Sequence, residues 1–218
     1  MKKVLVIGAT GLIGVNVVTY LAQKAVPTVA WVRKKSAKIP PQIEQIEVDF
    51  ANPPQTDFDV VICTIGTTIK TAGSRERFRA VDFDIPLRVA TEYSKIRPQG
   101  RFLVVTSVDS KSTSTNFYLS TKGALEDALR SLDLDVGIFQ PSLLIGKRSD
   151  WRPAEALSQF LSPLMSAVCF GPLKKYTPIA GTSVAKGLVE AALATAPLGG
   201  RAHEYQAILD WAHLGQSH

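Results

Sequence analysis

Residues 4–14 read VLVIGATGLIG. Val4 to Ile7 are consecutive apolar residues that end at a glycine, the pattern of a short parallel strand covered on both faces. Gly8, Gly11 and Gly14 follow at a spacing of three. From residue 11 to 24, Leu12, Val15, Val18 and Leu21 recur at helical spacing. Strand, glycine turn and helix in that order open a βαβ unit. The first glycine permits the tight turn, the second lets a pyrophosphate approach the backbone, and the third lets the helix pack close to the sheet. The helix N-terminus adds free N–H groups and a partial positive charge. Gly8, Thr10, Gly11, Leu12, Ile13 and Gly14 are thus candidate phosphate-loop residues.

The same stretch imitates a secretory leader, because Met1-Lys2-Lys3 precedes an apolar run. A leader has no need of glycines spaced by three, and this run ends in Thr19-Tyr20-Leu21 rather than at a small-residue cleavage site. No apolar run approaches the ~18 residues of a membrane span. The net charge of +6 comes from scattered rather than striped Lys and Arg, so nucleic acid is not an expected partner. Cys63 and Cys169 make no disulfide framework and are read as reduced thiols of a cytoplasmic protein. No metal site is expected.

Further strands are expected at Thr28–Val32, Ile43–Val48, Asp59–Ile65, Arg101–Thr106 and Val136–Leu144. Helices are expected at about 75–97, 115–132 and 182–195, and a strand or helix at 200–212. Strands alternating with helices predict a doubly wound α/β fold of Rossmann type, with a mostly parallel sheet and helices on both faces. Residues 145–180 break the pattern. Trp151, Phe160, Met165, Phe170 and Tyr176 stand there among four prolines, which suggests a small irregular substrate flap towards the carboxyl terminus. Residues 1–218 are read as one domain, a length that suits a single α/β unit.

The second strand ends in Trp31-Val32-Arg33-Lys34-Lys35, and no carboxylate occurs in residues 28–43. An NAD(H) site places an acid there for the ribose hydroxyls, whereas a 2′-phosphate needs cations. Arg33 and Lys34 therefore favour NADP(H) over NAD(H). Cys63, Thr64 and Gly66 end the fourth strand, where Gly66 lets a ribose lie near the backbone. Lys70, Arg75, Arg77 and Arg79 follow, in a segment (67–80) read as a lid over the phosphates. Arg148, Arg152, Lys174 and Lys175 are candidates for attracting an anionic substrate.

Tyr118 and Lys122 form Y-x-x-x-K, a spacing that puts both on one helical face. A nearby ammonium lowers the pKa of a phenol from ~10 and makes it a usable proton donor or acceptor. Ser107 lies after Thr106 at the end of the fifth strand, placed to hold the same substrate oxygen. Y-x-x-x-K alone recurs by chance; its position in the helix after that strand gives it weight.

The chain resembles the atypical and extended short-chain dehydrogenases/reductases, nearest to the Tat-interacting-protein-like oxidoreductases. The resemblance lies in GATGLIG (8–14), CTIGTTIKTAGSRERFRAVDFD (63–84), VVTSVDS (104–110), NFYLSTKGALE (116–126) and FQPSLLIG (139–146). It implies that Ser107, Tyr118 and Lys122 are the catalytic triad and that Asp49 and Phe50 flank the adenine. It also implies that Thr106 borders the cofactor and that Pro141, Ser142 and Leu143 line the nicotinamide pocket. Two positions depart from the family: Gln140 where Arg is frequent before the proline, and Asp82 near where an Asn is usual. The expected activity is NADP(H)-dependent hydride transfer to or from a small carbonyl or alcohol. A non-catalytic NADP(H)-sensing protein and an epimerase or dehydratase with retained cofactor are the alternatives. Expected partners are a small-molecule substrate and either a second copy or a regulatory protein.

Overall fold

The computed structural model describes residues 1–55, 57–145 and 171–214. The elements are Val4–Ile7 (β1), Leu12–Gln23 (α1), Thr28–Val32 (β2), Glu44–Glu47 (β3), Val60–Cys63 (β4), Ile69–Ala72 (α2) and Arg75–Arg79 (α3). A π turn, Ala80–Asp84, leads into Ile85–Ile96 (α4), followed by Gly100–Val105 (β5), Phe117–Arg130 (α5), Leu134–Phe139 (β6) and Leu144–Ile145 (β7). A 3-10 turn, Gly171–Tyr176, precedes Ile179–Ala180 (β8), Gly181–Leu193 (α6), Ala202–His203 (β9) and Tyr205–Leu214 (α7).

Seven strands form one sheet in the order β3-β2-β1-β4-β5-β6-β9, with every pairing parallel. This is the doubly wound order, whose connections reverse between β1 and β4. Alternation along the strands builds two cores. Val4 and Val6 pack with Val17, Val18 and Leu21 of α1 and with Val184 and Leu188 of α6. Leu5 and Ile7 face the other way, onto Val89 and Tyr93 of α4 and Leu125 and Leu129 of α5. A strand covered on both faces must be apolar at every position, which is why β1 and β4 contain no polar residue.

Arg101 is nearly buried inside β5 and is fully engaged. Its Nε donates to Asp135 Oδ2 (2.8 Å), and its guanidinium also donates to the carbonyls of Ala191 (2.7 Å), Ala194 (2.6 Å) and Ala196 (2.6 Å). Those carbonyls lie at and beyond the end of α6, where helical partners run out and a cation is favoured. Asp135 Oδ1 in turn accepts from the backbone N–H groups of Leu198 (2.6 Å) and Gly199 (3.1 Å).

Three boundaries differ from the sequence reading. The sixth strand stops at Phe139, because Pro141 has no N–H for the ladder. The chain beyond it forms β7, which pairs with β8 in a separate two-stranded sheet. Residues 200–212 contain both a strand and a helix rather than one of them. The long helix expected at 75–97 carries the π turn at 80–84. Of the flap expected at 145–180, Ile145 falls in β7 and residues 171–180 fold as the 3-10 turn and β8; Arg148, Trp151, Arg152, Phe160, Met165, Cys169 and Phe170 lie outside the described residues. Among the described residues, no helix is long and apolar enough to cross a membrane.

Replacing Arg101 with Met leaves Asp135 without its cation and three carbonyls without a donor. The expected loss in urea unfolding is about 3 kcal/mol. An unchanged midpoint would refute the role given to this buried charge.

Candidate functional site

A cleft of about 580 Å³ opens at the carboxyl ends of the strands flanking the β1/β4 reversal. It is lined by Gly8–Gly11, by Trp31 and Val32 at the end of β2 and Arg33 after it, by Phe50, and by Thr64–Thr67 after β4. Gly8 turns the chain at φ +83°, in the left-handed region. A Cβ on Gly14 would lie 2.2 Å from the carbonyl oxygen of Gly8, so α1 can rest on the turn only with glycine there. Gly11 caps α1 with no side-chain bond, which leaves the first N–H groups of the helix directed at the cleft mouth. The Thr64 hydroxyl, 3.1 Å from the carbonyls of both Ile7 and Gly8, ties β4 to the turn. The glycine turn, open helix end and Arg33 together fit a dinucleotide phosphate chain.

Of the candidate cofactor residues, Ile13 packs into the core, Leu12 is half-buried and Lys34 exposed, none of the three lining the cleft. Gly8, Thr10, Gly11, Arg33, Phe50, Thr64 and Gly66 line the cleft. Asp49 instead caps its own turn, accepting from Ala51 N (2.9 Å) and Asn52 Nδ2 (3.0 Å), and the Ala51 bond leads the effects that lower its pKa. Cys63 points into the core on the α4/α5 side. Thr106 donates its hydroxyl to Glu126 (2.6 Å). Pro141 is buried, Ser142 donates to the carbonyl of Thr177, and Leu143 is 45% exposed.

Lys122 is buried and meets Asp82, which projects from the π turn. Lys122 Nζ lies 2.8 Å from Asp82 Oδ1, with side-chain exposures of 4% and 0%. Asp82 Oδ2 accepts from Thr67 N (2.9 Å). Burial pushes the Asp82 carboxyl above its ordinary value, and the Lys122 ammonium opposes that shift. This pair sits directly behind the cleft wall: a Cβ on Gly66 would be 3.4 Å from Asp82 Oδ1 and 3.7 Å from Lys122 Nζ. Tyr118, one turn before Lys122, lays its ring against the buried Phe78 of α3, with centroids 5.4 Å apart.

Ser107 follows β5. Val108 N donates to the carbonyl of Pro141 (3.1 Å), which holds the two strand ends side by side. The loop then returns against α5, where a Cβ on Gly123 would clash at 2.2 Å with the backbone of Lys111. Gln140 turns inward. Its Nε2 donates to both oxygens of Glu126 (2.8 and 3.0 Å), and burial raises the Glu126 carboxyl pKa. Lys175 pairs with Asp109, which also accepts from the Tyr176 hydroxyl (2.5 Å). Sequence reasoning missed Phe78 and the Glu126 cluster, and named Arg77 only among the four cations of the 67–80 segment.

Burial is the leading cause that pushes the Cys63 thiol up to about 12. A raised pKa adds stability below an ordinary thiol's ~8.5, and that stability is lost as pH climbs through the folded value. In a Cys169→Ser background at pH 8, Cys63 is expected to resist iodoacetamide in the native protein and to react on unfolding. Rapid native alkylation would contradict its placement.

The match to the HIM1 family covers residues 31–170. Among curated relatives, the mitochondrial protein FMP52 of Meyerozyma guilliermondii is 30% identical, with 67% of this chain and 66% of the relative aligned. The FMP52 of Debaryomyces hansenii is 28% identical over 88% of both. Solved structures with the same fold include the Bordetella bronchiseptica enzyme WbmF in complex with NAD+ (TM-score 0.67, 15% identity, 97% of this chain and 76% of that one). A human epimerase family protein with NADPH also matches (TM-score 0.59, 19% identity, 88% and 70%). The neighbours share the doubly wound α/β fold, while the relatives point to HIM1 and FMP52 rather than to the Tat-interacting-protein-like branch. Cytoplasmic placement is contradicted, since these relatives are named as mitochondrial. Cys63 is fully buried, so its free thiol does not report on the compartment. The chain belongs to the HIM1 family.

Proposed function

We propose that the chain is an NADP(H)-dependent oxidoreductase acting on a small carbonyl or alcohol. The observation that carries this reading is the contiguity of cleft and catalytic lysine: Gly66 lines the cleft, and Lys122 stands immediately behind it. A bound nicotinamide would supply hydride chemistry. The chain's own groups do the rest. The N–H groups at the start of α1 hold the pyrophosphate, and Arg33 holds the 2′-phosphate. Ser107 donates a hydrogen bond to the substrate oxygen. Tyr118 passes a proton to or from that oxygen, and the Lys122 ammonium stabilises its phenolate. Asp82 supplies the counter-charge that lets the Lys122 ammonium stand buried within the protein.

Fold neighbours solved with NAD+ or NADPH support the nicotinamide site in general terms, and Arg33 supports the choice of NADPH. Titration by cofactor fluorescence is expected to show NADPH binding at least about tenfold tighter than NADH, and Arg33→Ala is expected to remove most of that difference. Equal affinities would sink the assignment of Arg33. Tyr118→Phe is expected to abolish turnover while leaving cofactor affinity within a few-fold; a fully active variant would end the triad assignment.

A further inference from the structure

Four residues of the stretch from α3 to the start of α4 line the cleft: Arg77, Ala80, Val81 and Ile85. Their spacing places them along one face. The apolar part of that face lies on the same cleft as Phe50 and Trp31, which suits a flat base. Ile85 and Phe50 pack against the same core. Arg77 is eight residues from Ile85, ~12 Å along a helix. A base at the Ile85 end therefore puts its phosphates towards Arg77.

The other arginines of α3 are engaged elsewhere. Arg75 lies over the Phe117 ring at 5.1 Å, and Arg79 over the Phe83 ring at 4.1 Å with Asp84 at 4.0 Å. These two are four apart and share a face that is not the cleft face. Arg77 is held at its backbone, since its N–H donates to the Ser74 hydroxyl that caps α3 (3.2 Å). Gly73, left-handed at φ +84°, turns the chain from α2 into α3 and leaves the Arg77 guanidinium room beside it.

We infer that Arg77 is a phosphate-binding residue of the dinucleotide cleft, a second cation facing Arg33 from the helical wall. The inference deepens the NADP(H) reading and rests on it. It also narrows the lid expected over residues 67–80 to one arginine. Guanidinium forks bind phosphate oxygens in pairs, so a glutamine at this position keeps the packing and loses the charge-assisted bonds.

The test uses the full chain, with NADPH and NADH as probes. Arg77→Gln is expected to weaken NADPH binding by about tenfold. If NADH weakens equally, Arg77 holds the pyrophosphate; if NADH is unaffected, it holds the 2′-phosphate. Unchanged affinity for both overturns the inference. Arg79→Gln is the control, removing one charge from the same helix outside the cleft. An equal loss in that variant would show general charge attraction and would also overturn it. Thermal midpoints of both variants check that the fold is intact. A wild-type protein that binds neither cofactor fails the dinucleotide reading itself. Wild-type indifference to the 2′-phosphate, with a loss in Arg77→Gln for both cofactors, removes only the role of Arg33.

Discussion

Gly14 approaches the carbonyl of Gly8 so closely that a methyl group there would stand 2.2 Å from the oxygen. That approach seats the first turn of α1 on the β1 turn. Any side chain there would lift the helix and carry its free N–H groups away from the cleft. The Thr64 hydroxyl reinforces the arrangement from β4 by bonding the carbonyls of Ile7 and Gly8. One sterically enforced junction thus aligns the glycine turn, the helix end and the two strands between which the connections reverse. Ligands of open α/β sheets settle at that reversal.

Two carboxylates, Asp82 and Glu126, are buried, and each is matched differently. Asp82 faces the Lys122 ammonium and a backbone N–H. Glu126 accepts from two neutral donors, Thr106 and Gln140, with Arg130 at 3.3 Å on its outer side. Both positions where the sequence departs from the related dehydrogenases belong to these pairs. Asp82 brings a negative charge to Lys122, and Gln140 serves Glu126 instead of adding a cation to the pocket. Removing one partner of a buried charge pair costs far more than the pair contributes. The departures are therefore coupled to their surroundings and cannot be read one residue at a time.

Legibility followed contact range. The phosphate loop lies within eleven consecutive residues, and its glycines state their own geometry, so it could be read directly. The apolar runs of β1, β4 and β5 were visible because both faces of the sheet are covered. The Lys122–Asp82 pair joins residues far apart in sequence, and nothing local marks Asp82 as buried. The π turn that carries it has no periodic signature in five residues. Arg77 was visible only as one of four cations, because its direction depends on how α3 is seated against Phe117 and Phe83. The end of β6 could have been read from Pro141, whose missing N–H closes the ladder.

A crystal structure of the protein with NADPH tests the central claim most directly. The account places the pyrophosphate on the N–H groups of Leu12 and Ile13, the 2′-phosphate on Arg33, and the nicotinamide beside Gly66 within reach of Tyr118 and Lys122. A cofactor bound away from the β1/β4 reversal, or with its nicotinamide directed away from Lys122, would contradict it.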